Sequence, residues 1–280
     1  MPIATARDGT PLHYRVHDCT EPWSRPPTLI LQHGFARSSQ VWFGLVPYLC
    51  RFYRVLCPDL RGFGESGRDF DPDATLSVQT SIDDVLTVID HLGEERVHYA
   101  GESYGGMLGV HLATQHPQRL RSLIALSTPP QAVMPSRDAF PMFGHDSWQD
   151  AMRQMGAGGW SRAANAATRF PPDTDPALLE WFAREGARSP LAVLVAMSRV
   201  IEQIDLRPLL PQVRVPVLGI YPTLAKTVTE QQMALLRQIP DIRIVTLPIA
   251  WHMVWALRPK ACAMNMLYFM GQLDGINCCE

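Results

Sequence analysis

The stretch Val97-His98-Tyr99-Ala100-Gly101-Glu102-Ser103-Tyr104-Gly105-Gly106 decides the fold. Residues 97–100 read as a short strand that runs into Gly101, and residues 107–116 continue as a helical pattern. Between them stands G-x-S-x-G. A sharp strand-to-helix turn forces its central residue into a strained conformation and brings neighbouring backbones close. Small residues are then needed two before and two after it, and Gly101 and Gly105 meet that need. Such a turn holds the Ser103 hydroxyl out at the end of the strand. The helix that follows points its positive end at the same place.

Working outward, short β-branched runs alternate with longer helical patterns. Residues 12–17 alternate apolar and polar like an edge strand. Residues 28–32, 53–57 and 123–126 are compact strands, followed by His33-Gly34, Pro58 and Ser127-Thr128-Pro129-Pro130. Helical patterns fill 41–50 and 77–92, the latter with Val78, Ile82, Val85, Leu86 and Ile89 at helical spacing. Short apolar strands separated by helices predict an α/β fold with a mostly parallel central sheet covered on both faces. The rhythm breaks after Pro130. Residues 131–206 are strand-free, with helices predicted over 161–170, 176–188 and 190–203. They read as a helical lid set into a core made of 1–130 and 207–280. Strands return at 215–221 and 242–247, with helices at 230–238 and 259–270.

Composition narrows the function. The 280 residues carry 25 Lys+Arg and 27 Asp+Glu, so a nucleic-acid partner is not expected. The most apolar stretch, 191–197, is too short to span a bilayer. The chain starts without an apolar signal core, and its six cysteines form no C-x-x-C pair. Idle thiols in a reducing cytoplasm are the expectation. Whether the chain forms a homodimer is left open.

Two further segments support chemistry at Ser103. The loop at His33-Gly34-Phe35 follows a strand and can aim the Phe35 N–H at the nucleophile. The Tyr104 N–H would be the second donor of an oxyanion hole. The His33 side chain itself reads as a hydrogen bond to its own turn. His252, after the last strand and before the last helix, is the candidate base.

With these blocks in place, the chain resembles the α/β-hydrolase superfamily over nearly its whole length. The resemblance rests on His33-Gly34, on the Asp59-Leu-Arg-Gly-Phe-Gly-Glu-Ser66 block, on Gly101 to Gly105 and on His252. Within that superfamily it is similar to small lidded esterases, lactonases and carbon–carbon-bond hydrolases. It implies about eight strands, Ser103 as nucleophile, His252 as base and no cofactor or metal. Gly62-Phe-Gly-Glu-Ser-Gly67 also matches a dinucleotide fingerprint, but loop residues follow it where a helix should open.

The pattern departs from the family at the triad acid. The resemblance places that acid after the seventh strand, near Ala225, or after the sixth, at Ser127, and neither position holds a carboxylate. Glu230 is a weak substitute, since Thr227-x-x-Glu230 reads as a capping box. Ser127 or Thr128 could hold the imidazole by a neutral hydrogen bond. Asp138 and Asp146 read as solvated loop charge. The expected activity is hydrolysis of an ester, lactone or related acyl bond of a small, largely apolar or aromatic substrate through an acyl-enzyme. The alternatives are a cofactor-free oxygenase, a carbon–carbon-bond hydrolase and a ligand receptor with little turnover. Arg37, just past the oxyanion loop, reads as a surface arginine, with contact to an acidic substrate group as the lesser reading.

Overall fold

Side chains at alternate positions of a strand go to opposite faces of its sheet. In the computed structural model, which describes residues 2–131, 142–223 and 229–278, this alternation builds two cores. Strand β3 (Thr28–Gln32) sends Ile30 into one and Leu29 and Leu31 into the other. Strand β4 (Arg54–Pro58) divides Leu56 from Val55 and Cys57 in the same way. The remaining strands are β1 (Ile3–Thr5), β2 (Pro11–His17), β5 (Val97–Glu102), β6 (Leu120–Leu126), β7 (Val217–Pro222) and β8 (Ile242–Leu247). They form one eight-stranded sheet in the order β1-β2-β4-β3-β5-β6-β7-β8. The β1–β2 and β2–β4 pairings are antiparallel and the rest parallel. β3 has β4 on one side and β5 on the other, so the chain reverses its winding there. Loops leaving the carboxyl ends of β3 and β5 diverge and open a crevice. His33-Gly34 and Ser103 stand at that crevice.

Most predicted elements are present, with informative differences. The helix predicted over 41–50 is a 3-10 turn, Ser39–Gly44, followed by α1 (Val46–Leu49). Pro47 in the first turn of α1 lacks the N–H that a continuous helix needs. After α2 (Pro72–Thr75) comes α3 (Val78–His91), capped by Ser77, whose side chain accepts the Thr80 N–H. It packs with α4 (Tyr104–Gln115) on one core.

The insertion after β6 starts earlier as helix than its pattern suggested. Helix α5 (Trp148–Ala164) is kinked at Gly156, whose φ of 69° is non-helical. A single π turn, Asn165–Arg169, follows, then α6 (Pro176–Ala187) and α7 (Leu191–Glu202). The two ends of the insertion meet: Gln131 bridges Asp205, and the Leu206 N–H donates to Pro130 O at 2.8 Å. Trp148, Trp160 and Leu194 from the insertion enter one core, and Phe170 and Phe182 enter the other. Helices α8 (Glu230–Leu236), α9 (Val254–Leu257) and α10 (Pro259–Asp274) complete the chain. Among the described residues no helix is long and apolar enough to cross a membrane. Cys19, Cys50, Cys57 and Cys262 are free thiols, buried except for Cys19.

Candidate functional site

Ser103 stands alone between the end of β5 and the start of α4, at φ 52° and ψ −115°. A non-glycine residue at positive φ is strained and persists only where its surroundings hold it. Its N–H donates to Leu126 O on β6 at 3.0 Å, and its carbonyl accepts from Met107 N–H at 3.0 Å. A Cβ on Gly101 would strike the Gly105 backbone, and one on Gly105 would strike the Gln32 carbonyl. The glycines of the motif are therefore fixed by close backbone approach, as the pattern required. The Tyr104 N–H opens α4 and is one of the groups that a helix leaves unpaired.

The loop after β3 reaches the same place. The His33 Nε2 accepts the Leu60 N–H at 3.0 Å, so its Nδ1 carries the proton and donates to Gly34 O at 2.8 Å. Burial pushes the His33 pKa below its ordinary value. It holds the turn, as its position suggested. Phe35 is buried against Phe63, Trp148 and Trp160. The glycine-rich block at 62–67 is a tight loop around Asp59, whose carboxylate accepts from the Ser39 and Glu65 N–H groups at 2.5 and 3.0 Å. Gly64, at φ 52°, has no room for a Cβ against that carboxylate.

The residue that sequence reasoning missed is Glu102. It is the last residue of β5 and is 3% exposed. One carboxylate oxygen, Oε2, accepts the Gly34 N–H at 3.1 Å, and the other, Oε1, lies 3.1 Å from His252 Nε2. Gly34 has no room for a Cβ because this carboxylate occupies the space. Burial works against the Glu102 charge. The imidazole of His252 and the guanidiniums of Arg37 and Arg169 outweigh it, so its pKa falls below the ordinary carboxylate value. The variable position of G-x-S-x-G thus supplies a carboxylate to the histidine. A charged residue closing an otherwise buried strand was the available signal.

Other acid candidates stand elsewhere. Ser127 is fully buried at φ 45°, and its hydroxyl has no hydrogen-bond partner among the described residues. The Thr128 hydroxyl is directed at the Gly101 and Leu126 carbonyls. Neither holds the imidazole, which corrects that expectation. Glu230 is exposed in the first turn of α8, where Thr229 caps the helix and forms a capping box with Gln232. Asp146 is exposed, as expected. Asp138, Ala225 and Thr227 lie outside the described residues.

His252 is carried by the loop after β8, and the π turn holds it. The His252 and Met253 N–H groups donate to the Thr168 and Arg169 carbonyls at 3.2 and 3.3 Å. π turns recur at functional sites. Trp255 and Met253 beside His252 are core residues, Trp255 stacking on Trp42 at 4.6 Å between centroids. Arg37 is not a surface residue: it is 1% exposed because Asn165 and Phe182 of the insertion cover it. A surface groove lined by Trp42, Phe43, Leu178 and Trp181 contains none of Glu102, Ser103 or His252 among its lining residues. Among the described residues no three His, Cys, Asp or Glu side chains gather in metal-ligating geometry.

Known proteins share this fold. A family model for the α/β-hydrolase fold matches residues 27–161. The chain is 29% identical over 259 residues to the pimeloyl-[acyl-carrier protein] methyl ester esterase of Aeromonas hydrophila, covering 90% of this chain and 98% of that one. Its structure superposes on the enol-lactonase from Burkholderia xenovorans LB400 with a TM-score of 0.84 at 26% identity, covering 96% and 99% of the two chains. A hydrolase from Pseudomonas aeruginosa PA01 matches at 0.84 and 27%, over 96% and 98%. Sheet order, the strained Ser103 turn and these likenesses together give the chain the α/β-hydrolase fold and a similarity to esterases and lactonases that share it.

Proposed function

We propose that the chain is a serine hydrolase of small carboxylic esters or lactones. The observation that carries this reading is Ser103 at φ 52° on the turn between β5 and α4, with its chain neighbour Glu102 paired to the buried His252. Ser103 Oγ attacks the acyl carbon while His252 takes its proton. The Phe35 and Tyr104 N–H groups stabilise the oxyanion. His252 then returns the proton to the leaving alkoxide, and water hydrolyses the acyl-enzyme by the same route. Glu102 stabilises the imidazolium that forms in both steps, so the activity does not depend on an acid after β6 or β7. The likeness to an esterase and an enol-lactonase supports an acyl substrate. Residues 131–206 act as the lid, an assignment supported by the meeting of their ends at Gln131 and Asp205.

The test is intact-mass labelling with a fluorophosphonate. Wild type should gain one adduct, and Ser103→Ala and His252→Ala should gain none. Well-folded wild type that gains no adduct would rule out an activated serine. It would turn attention to oxygen consumption or ligand binding at the same crevice.

A further inference from the structure

Arg37 and Arg169 are far apart in the chain and adjacent in space. Arg37 follows the loop after β3, and Arg169 ends the π turn that holds the His252 backbone. Both guanidiniums donate to one acceptor, Asn165 Oδ1: Arg37 Nη2 at 2.8 Å and Arg169 Nη1 at 3.4 Å. Each lies over an aromatic face, Arg37 5.2 Å from the Phe182 centroid and Arg169 5.2 Å from that of Trp160. They are 1% and 8% exposed. Arg37 Nη1 also donates to Ala36 O at 2.9 Å, and among the described residues no carboxylate forms an ion pair with either arginine. Glu102 acts on both at longer range and Glu185 on Arg37. Those carboxylates are engaged, Glu102 by Gly34 and His252, and Glu185 by Ser38 and Arg188.

The cluster is rich in donors and short of acceptors. Asn165 Oδ1 is used by both arginines, while its Nδ2 is buried without a partner among the described residues. The indole N–H of Trp160, whose ring Arg169 covers, is buried and unpartnered in the same sense. Arginine does not escape burial by losing its proton, so two desolvated cations without a close anion are costly. A planar anion with two acceptor oxygens would satisfy guanidinium forks and the orphaned amide together.

We propose that Arg37, Arg169 and Asn165 bind a free carboxylate of the substrate. The substrate is then a monoester of a dicarboxylic acid, or a lactone that carries a free carboxylate. The proposal rests on the hydrolase reading only for the bond that is cleaved.

Turnover and binding test it separately. Monomethyl esters of succinic, glutaric and adipic acids are compared with their dimethyl esters. The monoanion should be preferred in kcat/KM by at least about tenfold at one chain length, and Arg37→Gln or Arg169→Gln should reduce that preference at least about tenfold, chiefly through KM. Equal or better turnover of the diesters at every length overturns the proposal and leaves the arginines serving only to keep Glu102 ionised. If nothing is turned over and no fluorophosphonate adduct forms, the hydrolase reading falls. The subsite is then decided by calorimetric titration of intact Ser103→Ala protein with glutarate. Saturable binding weakened at least about tenfold by Arg169→Lys, which keeps charge but loses the fork, supports it. Absence of binding overturns it. Should the arginine variants melt below the assay temperature, the wild-type preference and glutarate binding decide alone.

Discussion

Replacing Glu102 by glutamine removes one charge and almost no volume, so it isolates what the carboxylate does for His252. The carboxylate lies 3.1 Å from His252 Nε2, and both side chains are under 10% exposed. At an effective dielectric of about 20, a full imidazolium at that distance is stabilised by about 5 kcal/mol. The glutamine oxygen still accepts a hydrogen bond and offsets part of this. The net loss in the transition state is then about 3–5 kcal/mol, or roughly 10²–10⁴ in kcat. KM for a neutral ester should change little, because the charge that Glu102 is proposed to stabilise develops on the way to the transition state. Hydrolysis of 4-nitrophenyl acetate gives kcat and KM, the rate of fluorophosphonate labelling reports the nucleophile directly, and a thermal melt confirms the fold. A folded Glu102→Gln protein that keeps kcat within about fivefold of wild type would refute the role of Glu102 and return the acid to an open question.

Other outcomes follow from the same geometry. Ser127→Ala should leave kcat unchanged and stability unaltered within about 1 kcal/mol by urea denaturation, since the hydroxyl it removes is buried and unpartnered; a large drop in kcat would give the imidazole back to Ser127. Gly34→Ala should cost at least about tenfold in kcat on 4-nitrophenyl acetate, because the added methyl needs the space of the Glu102 carboxylate and carbonyl. Asp274 accepts from His98 Nε2 at 2.7 Å and Tyr53 Oη at 3.2 Å, so Asp274→Ala should cost about 3 kcal/mol in urea while 4-nitrophenyl acetate turnover at permissive temperature persists. The depressed pKa of Glu102 contributes stability that is complete above the ordinary carboxylate pKa, near 4.5, and is lost as pH falls through its folded value. The stability gap between wild type and Glu102→Gln should therefore narrow from pH 7 to about pH 3, and a constant gap would show that the charge of Glu102 is not what stabilises the fold.

Legibility followed the range of the interactions involved. The strands at 28–32 and 242–247 were readable to the residue, because apolar runs and the breakers beside them are local. The Ser103 turn was readable because its glycines respond to backbone approach within a few residues. The helix at 41–50 was misread because apolar spacing does not register the donor that Pro47 lacks. The start of α5 was missed because Gly156 interrupts its pattern. Glu102 was on view in the motif itself, yet nothing local says that its carboxylate meets a histidine 150 positions later. Arg37 was read as a surface residue because its cover, Asn165 and Phe182, arrives from the insertion.

By itself, then, the sequence determined the α/β class, the place of Ser103, the turn that strains it and the loop that approaches it. Each of these depends on hydrogen-bond patterns and steric limits within one or two elements. The tertiary structure alone decided which carboxylate meets His252 and that two arginines are buried side by side. Those pairings join β5 to the loop after β8, and the loop after β3 to the π turn of the insertion. Charges so far apart in the chain become neighbours only when the sheet and its cover are assembled, and only then does burial set how strongly they act on one another.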